Sequence, residues 1–379
     1  MLKRRITRLL GNIGKPLQGF GVLCLLCGSA AAQVTGGQFA FESLRMSNAP
    51  HVSALGGISV ANPDNDIAFA LQNPAMMRPG LHNNLQLGYN NFYSDIKQLN
   101  LAYGYHVPSV NTSFFMGVQY MNYGSITQTD PIGNTLGTFH AVDYALTFGA
   151  SKTYLEHWRY GADIKYAASN FTSSKASAAL IDVGINYFDT TTLWDFGATA
   201  KNMGVMLKNY TVNNTEPLPF DLQIGVSKRF KHLPLRLIGT VHHLYQWDIR
   251  YNDPTNITGT TSLGTNDSVK DNKSHFGDKL FRHFIFGAEL TLGKRIILSA
   301  SYNDLQRQEL KLSTLPGLAG FAFGAGLELT KFQVHYARTY YHIAGAYNEI
   351  SLTLALNRLI GLNKTGEKMH WNTVYEDAE

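Results

Sequence analysis

The sequence has almost no cysteine. Its two cysteines, Cys24 and Cys27, lie near the N-terminus, and none follows between residues 33 and 379. That long segment therefore has no disulfide bond, no thiolate metal ligand and no cysteine nucleophile. The class of secreted proteins that depends on disulfides for stability is excluded.

Long apolar runs are also missing after the first 32 residues. No later segment approaches the roughly 20 consecutive apolar residues that a transmembrane helix requires, and the mean hydropathy of the chain is −0.13. If such a chain crosses a membrane, it must do so as β-strands, whose hydropathy signal is weak.

Catalytic and ligand-binding motifs are absent as well. Gly324 and Gly326 lie inside an alternating strand pattern rather than in a nucleotide-binding loop. His242 and His243 are adjacent in a predicted strand, so they should point to opposite faces and make a poor metal pair. We therefore expect no enzyme activity, no cofactor and no metal site, and a membrane lipase or lipopolysaccharide deacylase would rest on fold analogy alone.

The first 32 residues have the pattern of a secretory signal peptide. Five basic residues without an acidic one precede a short apolar run that ends in small residues at 30–32. An uncleaved membrane anchor, the alternative, would need a longer apolar run. Of the 32 basic residues of the chain, five lie in this leader, which leaves 27 against 27 acidic residues. Nothing in that balance indicates a nucleic-acid partner.

Alternation of apolar and polar residues dominates the rest of the chain. In NEISLTLALN (348–357), Ile350, Leu352, Leu354 and Leu356 share one face of an extended strand. Segments of this kind recur fourteen times, each about as long as a tilted strand that crosses a bilayer. They are 84–93, 98–107, 114–123, 142–151, 159–168, 178–188, 193–202, 221–230, 235–245, 282–292, 295–303, 320–329, 332–341 and 348–357.

The connections between these segments distinguish a membrane barrel from a β-sandwich. Even-numbered turns are short, whereas the odd-numbered connections are mostly longer. The longer ones are 124–141, 169–177, 203–220, 246–281, 304–319 and 342–347, and 94–97 is the short exception. Bacterial outer-membrane barrels have short turns on one rim and long loops on the other, and a sandwich has no reason for this parity. The sequence therefore predicts an all-β fold, a 14-stranded antiparallel transmembrane β-barrel over 84–358. Its termini should be periplasmic and its long loops extracellular.

Charged and aromatic residues agree with this prediction. Charged side chains fall on the face opposite the apolar one, where a polar lumen accepts them and lipid would reject them. They are Asp143, Asp163, Lys165, Asp182, Lys201, Glu289 and Glu328. Aromatic residues such as Trp158, Trp194 and Trp247 lie near strand ends, where they suit interfacial girdles.

Residues 33–83 do not alternate, and they precede the first predicted strand. The interior of a barrel this wide cannot be filled by wall side chains alone, so we expect this segment to fold inside as a hatch. Gly56-Gly57 and Asn73-Pro74 mark turns within it. A disordered periplasmic leader is the alternative, but the segment holds too many apolar residues to suit one.

This segment carries a family resemblance. SALGGISVANPDNDIAFALQNPAMM (53–77) resembles the N-terminal hatch of the FadL family of outer-membrane fatty-acid transporters, in which a glycine-rich, acidic stretch leads to an Asn-Pro-Ala turn. That resemblance implies fourteen strands and a hatch.

The C-terminal half resembles a narrower group. The stretches 216–230, 279–290, 302–312 and 331–351 look like PorQ-like barrels, which are FadL-like, related to PorV and belong to the Bacteroidetes type IX secretion system. The resemblance implies attachment of a PorZ-like surface protein, next to PorV-like and PorU-like proteins that cleave cargo and link it to lipopolysaccharide. The tail at 359–379 has no counterpart in this comparison.

Two functions remain open from the sequence. A docking platform would use long loops, and Trp247, Tyr251 and Phe276 around 246–281 together with Arg307 and Glu309 are candidate partner contacts. A FadL-like transporter of hydrophobic molecules would need an apolar pocket near the hatch and usually a kinked strand, and the third strand contains no proline to make one.

Overall fold

The chain forms one closed antiparallel β-barrel of fourteen strands in a computed structural model. The structure describes residues 39–172, 174–211, 215–250, 276–293, 295–310, 317–342 and 345–359. Each strand pairs with its neighbours in sequence, and the first strand pairs with the last. The predicted fold class is confirmed. Closure lets the strands satisfy one another's backbone groups, which a sheet must do to cross lipid.

The strands have unequal lengths. They are β1 Asn84–Asn91, β2 Lys97–Val107, β3 Thr112–Thr129, β4 Thr135–Tyr154, β5 Trp158–Phe171, β6 Ser174–Asp189, β7 Trp194–Lys208, β8 Asp221–Arg229, β9 Leu235–Val241, β10 Phe284–Leu292, β11 Ile296–Asn303, β12 Phe321–Glu328, β13 Phe332–His342 and β14 Gly345–Ala355. The five neighbours β3 to β7 are the longest. About ten residues suffice to cross a bilayer, so these five project beyond it.

Helices are short. The described α-helices are α1 Pro50–Ala54, α2 Phe276–Phe281, α3 Asp304–Leu310 and α4 Leu356–Leu359, and 3-10 helices lie at Glu42–Arg45, Ile67–Leu71, Pro74–Met76, Pro79–Leu81 and Pro108–Val110. None of these described helices has both the length and the apolar character that crossing a membrane demands.

The two faces of the wall have opposite chemistry. In β14, Ser351 and Thr353 are buried in the lumen, whereas Ile350 is 50% and Leu352 37% exposed on the outside. Exposed apolar side chains repeat around the barrel, which is the reverse of a water-soluble sheet. The apolar face therefore meets lipid, and the chain is a barrel of the outer-membrane type.

The charged residues predicted to face the lumen are withdrawn from the outer surface. Asp143, Asp163, Lys165, Asp182, Lys201 and Glu289 are buried, and Glu328 is partly buried. Their lumenal placement is confirmed.

The two rims of the barrel differ, but less simply than predicted. One end, here called the turn rim, has the short connections 108–111, 155–157, 190–193, 230–234, 293–295 and 329–331. The other end, here called the loop rim, has long connections at 209–220, 242–283 and 304–320, together with short ones.

Three connections predicted to be long are mostly strand. At 124–141, 169–177 and 342–347, hairpins continue to the pairs Thr129↔Thr135, Phe171↔Ser174 and His342↔Gly345. The prediction was wrong there because it identified strands by alternation of apolar and polar residues. That alternation is required only where one face of the strand meets lipid. Beyond the bilayer a hairpin needs no continuous apolar face, and the exposed tip of β3 and β4 is mostly polar with single apolar residues such as Leu136.

The third strand contains an irregularity that its lack of proline did not predict. The pairing of β3 with β4 shifts between Asn122 and Ser125, where Gly124 has a φ of 77°. A glycine at positive φ is typical of a β-bulge, which bends a strand locally. Because β2 pairs with β3 only as far as Asn122, this bend lies in the projecting part.

Candidate functional site

The described part of the hatch, residues 39–83, packs inside the barrel. Helix α1 is buried along its whole length and packs against β11 to β14. After it the chain reverses at Gly56 and Gly57, with φ values of 93° and 88°. A Cβ on Gly56 would collide with Ile285 of β10. This turn therefore needs glycine both for its backbone conformation and for its closeness to the wall.

The second predicted turn, Asn73-Pro74, lies directly on the wall. The Asn73 side chain accepts from Ala75 N at 3.0 Å and donates to Val60 O at 2.9 Å, which fixes the turn within the hatch. A Cβ on Gly184 of β6 would collide with the Asn73 side chain. The wall has no side chain at this point, and the side chains of Asn73 and Pro74 fill the space.

A buried ionic network joins the hatch to β9 and β10. Arg236 Nη1 of β9 lies 2.5 Å from Asp64 Oδ2 and 2.9 Å from Glu289 Oε2 of β10. His51 of α1 bridges Glu289 at 2.6 Å and Asp66 at 3.1 Å. We call these five residues the hatch lock.

Charges within the hatch lock shift the pKa values of its hatch residues. Burial alone would lower the pKa of His51, but hydrogen bonds to Asp66 and Glu289 raise it well above its ordinary value. Burial alone would raise the pKa of Asp64, but the charge of Arg236 lowers it below its ordinary range. His51 therefore acts as a cation and Asp64 as an anion in the assembled hatch.

Further polar contacts hold the other side of the hatch. Lys201 Nζ donates to Leu71 O at 3.2 Å, Ser43 Oγ donates to Asp143 at 2.8 Å, and Gln119 Nε2 donates to Ser43 O at 2.7 Å. One cavity between hatch and wall, near Lys201, has a volume of about 30 Å³. That is roughly the space of one water molecule, so this gap holds no hydrophobic solute.

Towards the loop rim, the side of the lumen formed by β4 to β6 has an apolar surface. Phe41 and Leu44 of the hatch pack against small wall residues of β4 to β6. The wall residues are Ala145, Ala167, Ala176, Ala178 and Leu180. This arrangement has the chemistry of a hydrophobic binding surface, and hatch side chains cover it.

Two concave apolar areas lie on the outside of the wall. One, of about 630 Å³, is lined by outward residues such as Leu87, Leu99 and Ile350; the other, of about 820 Å³, is lined by residues such as Met116, Ile164 and Val205. Both open towards the surrounding lipid, so acyl chains cover them.

Two of the five predicted partner contacts come together at the loop rim. The rings of Trp247 and Phe276 lie 5.2 Å apart, although 28 residues separate them in the chain. Trp247 is 49% and Phe276 69% exposed. His283 stacks on Trp247 at 6.0 Å and contacts its backbone oxygen at 3.2 Å.

Ion pairs brace the base of this connection. Asp248 Oδ2 lies 2.7 Å from Lys279 of α2 and 2.9 Å from Arg250. The hydrogen bond from Arg250 is the main reason why the pKa of Asp248 lies below its usual range. The two ends of the 242–283 connection are thus joined by rings and charges.

The other predicted contacts have different settings. Arg307 of α3 donates to the backbone oxygens of Gly317 and Ala319, so it holds its own connection together. Glu309 is exposed on the same helix. Tyr251 lies outside the described residues, as do the predicted signal peptide and most of the tail. Partner binding by all five residues stays a prediction.

Sequence reasoning missed the hatch lock. It placed Glu289 in the lumen but assigned no role to Arg236, His51 or Asp64. The sequence did contain a signal for it. Arg236 stands between Leu235 and Leu237, so alternation places its side chain in the lumen, where a buried cation needs a buried anion as its partner.

The expectation that His242 and His243 face apart was wrong. Strand β9 ends at Val241, and His243 has a φ of 54°, so the alternation of a strand does not extend to it. The two Nδ1 atoms lie 2.5 Å apart, and both rings lie near Asp221.

Comparisons with known proteins give similarity of fold only. No family model and no curated protein matches the chain. Among solved structures, the toluene transporter TbuX of Ralstonia pickettii is 13% identical, with 83% of this chain and 98% of that chain covered and a TM-score of 0.47. The TodX monoaromatic hydrocarbon channel is 13% identical, with coverage of 82% and 98% and a TM-score of 0.46. A Pseudomonas aeruginosa FadL homologue is 9% identical, with coverage of 86% and 100% and a TM-score of 0.40. Similarity at this level assigns no function.

Proposed function

We propose that this protein is a non-enzymatic outer-membrane docking component that holds a surface partner at its loop rim. In this proposal the loop rim is extracellular and the termini are periplasmic. The PorQ-like resemblance specifies the setting: a type IX attachment complex with a PorZ-like partner, next to PorV-like and PorU-like proteins that link cargo to lipopolysaccharide.

The filled lumen is the observation that carries this proposal. The hatch is tied to the wall by the hatch lock on one side and by Lys201 and Asp143 on the other. Removing one partner from a buried ion pair costs about 3–5 kcal/mol, so moving the hatch aside would be expensive. A barrel that stays closed can still anchor a partner, whereas a channel must open.

The loop rim offers a surface suited to that role. Trp247 and Phe276 present exposed rings on a base braced by Asp248 and Lys279. Aromatic residues held rigidly in polar surroundings are typical anchors of protein interfaces. Girdle aromatics beneath a solvated loop would look similar, and a binding test separates the two roles.

Transport of hydrophobic molecules is the second candidate. The apolar surface formed by Phe41, Leu44 and the small residues of β4 to β6 favours it, because such a surface would accept a hydrophobic solute if the hatch moved. The TbuX and TodX structures are named for transport of this kind. The two candidates differ in whether the hatch must move.

The docking proposal can be tested by co-purification from detergent-solubilised envelopes of the native host. A tagged chain should capture a surface protein, identified by mass spectrometry, and the double variant Trp247→Ala/Phe276→Ala should lose most of it. Loss of two interface aromatics typically costs about 2 kcal/mol or more each.

The matched control is Trp194→Ala, an outward tryptophan at the turn rim that is 40% exposed. It should retain the partner. Equal capture by the double variant and the control would contradict a role for the loop-rim aromatics, and no surface protein captured by any form would contradict docking itself.

A further inference from the structure

Three residues at the loop-rim end of β8 and β9 have the geometry of a metal site. Asp221 is the first residue of β8, and His242 and His243 directly follow β9. One potential ligand atom from each of the three lies within 4.8 Å of the others. His243 Nδ1 is 2.5 Å from His242 Nδ1 and 3.8 Å from Asp221 Oδ2.

Two features of this cluster suit a metal ion. The Nδ1 atoms of His242 and His243 are 2.5 Å apart, so their lone pairs cannot both be free, and a proton or a metal ion must lie between them. In addition, Asp221 Oδ2 lies 3.8 Å from His243 Nδ1 and offers an anionic oxygen beside the two nitrogens.

The backbone at His243 adds a third feature. A non-glycine residue at a φ of 54° costs about 1–2 kcal/mol relative to ordinary conformations, and such residues concentrate at functional sites. Here the left-handed conformation is what turns the second imidazole towards the first. A regular continuation of β9 would have separated them.

Surrounding groups hold the Asp221 side chain and the backbone of the two histidines. The Asp221 carboxylate accepts from His243 N at 2.7 Å through Oδ1 and from Gln223 Nε2 at 2.7 Å through Oδ2. His283 Nδ1 donates to His242 O at 2.8 Å. Outer contacts that fix the orientation of ligands are a regular part of metal sites.

We propose that Asp221, His242 and His243 bind one divalent transition-metal ion of the Zn²⁺, Ni²⁺ or Co²⁺ class. Two imidazoles and one carboxylate suit these borderline metals, whereas Ca²⁺ and Mg²⁺ prefer sets of oxygen ligands. Binding would require the two nitrogens to separate by about 0.4–0.9 Å, because two metal–nitrogen bonds of about 2.0–2.1 Å at octahedral or tetrahedral angles place the nitrogens roughly 2.9–3.4 Å apart. Water would complete the coordination.

A nearby positive charge limits which ions bind. The Arg45 guanidinium contacts Phe220 O at 3.4 Å and Tyr245 Oη at 3.5 Å, close to the cluster. Its charge repels a cation, so ions that rely on charge attraction alone bind poorly. Imidazole coordination by a borderline metal offsets this repulsion.

The hatch lock is a weaker candidate for a metal. His51, Asp64 and Glu289 also lie within 4.8 Å of one another, as do His51, Asp66 and His335. However, Arg236 already contacts both Asp64 and Glu289, and His51 bridges Glu289 and Asp66. Protein cations therefore satisfy these carboxylates.

The test uses the full mature chain in detergent, purified through a tag without histidine and stripped with a chelator. Calorimetric titration with Zn²⁺, Ni²⁺ and Ca²⁺, together with metal analysis after dialysis, should give one transition-metal ion per barrel and no saturable Ca²⁺ binding. His243→Asn, in which asparagine tolerates the left-handed backbone, and Asp221→Asn should each weaken Zn²⁺ affinity by more than about tenfold.

Two controls make the outcome decisive. His232→Asn changes an exposed histidine of the turn rim and should leave Zn²⁺ binding unchanged. His51→Gln removes the shared ligand of the hatch lock and should also leave it unchanged. Absence of saturable binding in the wild type, wild-type affinity in His243→Asn, or loss of binding only in His51→Gln would each overturn the proposal. Folding of every variant is checked by the heat-dependent gel mobility of the barrel.

Discussion

Replacing Arg236 tests how firmly the hatch is held. Arg236 Nη1 contacts Asp64, Glu289 and Asn62 at 2.5, 2.9 and 2.7 Å, and the residue is 6% exposed. Arg236→Met keeps the aliphatic length but removes the guanidinium from the partly buried Asp64 and from the buried Glu289, which keeps its contact with His51. Loss of one partner from such a network costs about 3–5 kcal/mol. At 1.4 kcal/mol per tenfold change, hatch opening should increase about 100- to 4000-fold.

Amide hydrogen exchange measures that change directly. Hatch peptides within 39–83 should exchange faster in the variant by up to this factor, while wall peptides of β4 to β6 serve as an internal reference. Proton uptake by Asp64 would relieve part of the cost and move the result towards the lower end. Arg338→Met is the matched control, because Arg338 is exposed and contacts Asn348 outside the lumen.

A compensating variant sharpens the result. Arg236→Met combined with Asp64→Asn and Glu289→Gln removes all three charges, so hatch protection should recover relative to Arg236→Met alone. Unchanged exchange of hatch peptides in Arg236→Met would refute the claim that the hatch lock holds the hatch.

Two other predictions concern the same segment. Gly184→Ala should speed amide exchange around 67–77, because the added methyl group would displace the Asn73 side chain at a cost of about 1–3 kcal/mol. Gly239→Ala is the control and should leave exchange unchanged, because its Cβ would meet nothing closer than 3.7 Å. Equal exchange in the two variants would count against close packing at Asn73. Hatch protection should also depend on pH. Because the pKa of His51 is raised, its contribution to hatch stability is full below the ordinary value near 6.5 and is lost as pH rises through the raised pKa. Because the pKa of Asp64 is lowered, its contribution is full above 3.8 and is lost as pH falls through the lowered pKa. Exchange corrected for its intrinsic pH dependence should therefore be slowest between about pH 4 and 6.5, and His51→Gln should flatten the alkaline side; an alkaline side that stays unchanged in His51→Gln would contradict this assignment.

The barrel could be predicted from the sequence because lipid imposes a simple rule on every strand. Residues such as Ile350 and Leu352 must face acyl chains, and their neighbours Ser351 and Thr353 must face the lumen, so the alternation is visible locally. The rule ends where the bilayer ends. The projecting parts of β3 and β4 are mostly polar and have no continuous apolar face, so their sequence pattern indicated loops rather than strands.

The interior could be predicted only in part. The residue types at Gly56-Gly57 and Asn73-Pro74 predict turns, and in the structure Gly56 and Gly57 have positive φ values. The hatch lock joins Asp64 to Arg236 and Glu289 across more than 170 residues, and no local pattern encodes such a pairing. The left-handed His243 was missed for a related reason, since strand periodicity assumes that the strand continues.

The most direct test of the docking account closes the hatch covalently. Ala61 and Gly225 are placed for a disulfide, because a Cβ on Gly225 would lie 3.4 Å from that of Ala61, near the usual range of about 3.5–4.5 Å. The same Cβ would lie 2.7 Å from Val60 Cγ2, so the Val60 side chain must shift to admit it. The segment after residue 32 has no cysteine of its own. With Ala61→Cys/Gly225→Cys oxidised, the tagged barrel should capture its surface partner from envelopes as efficiently as the reduced form. The account would be contradicted if neither the oxidised nor the reduced form captured a partner and if uptake of a hydrophobic solute stopped on oxidation.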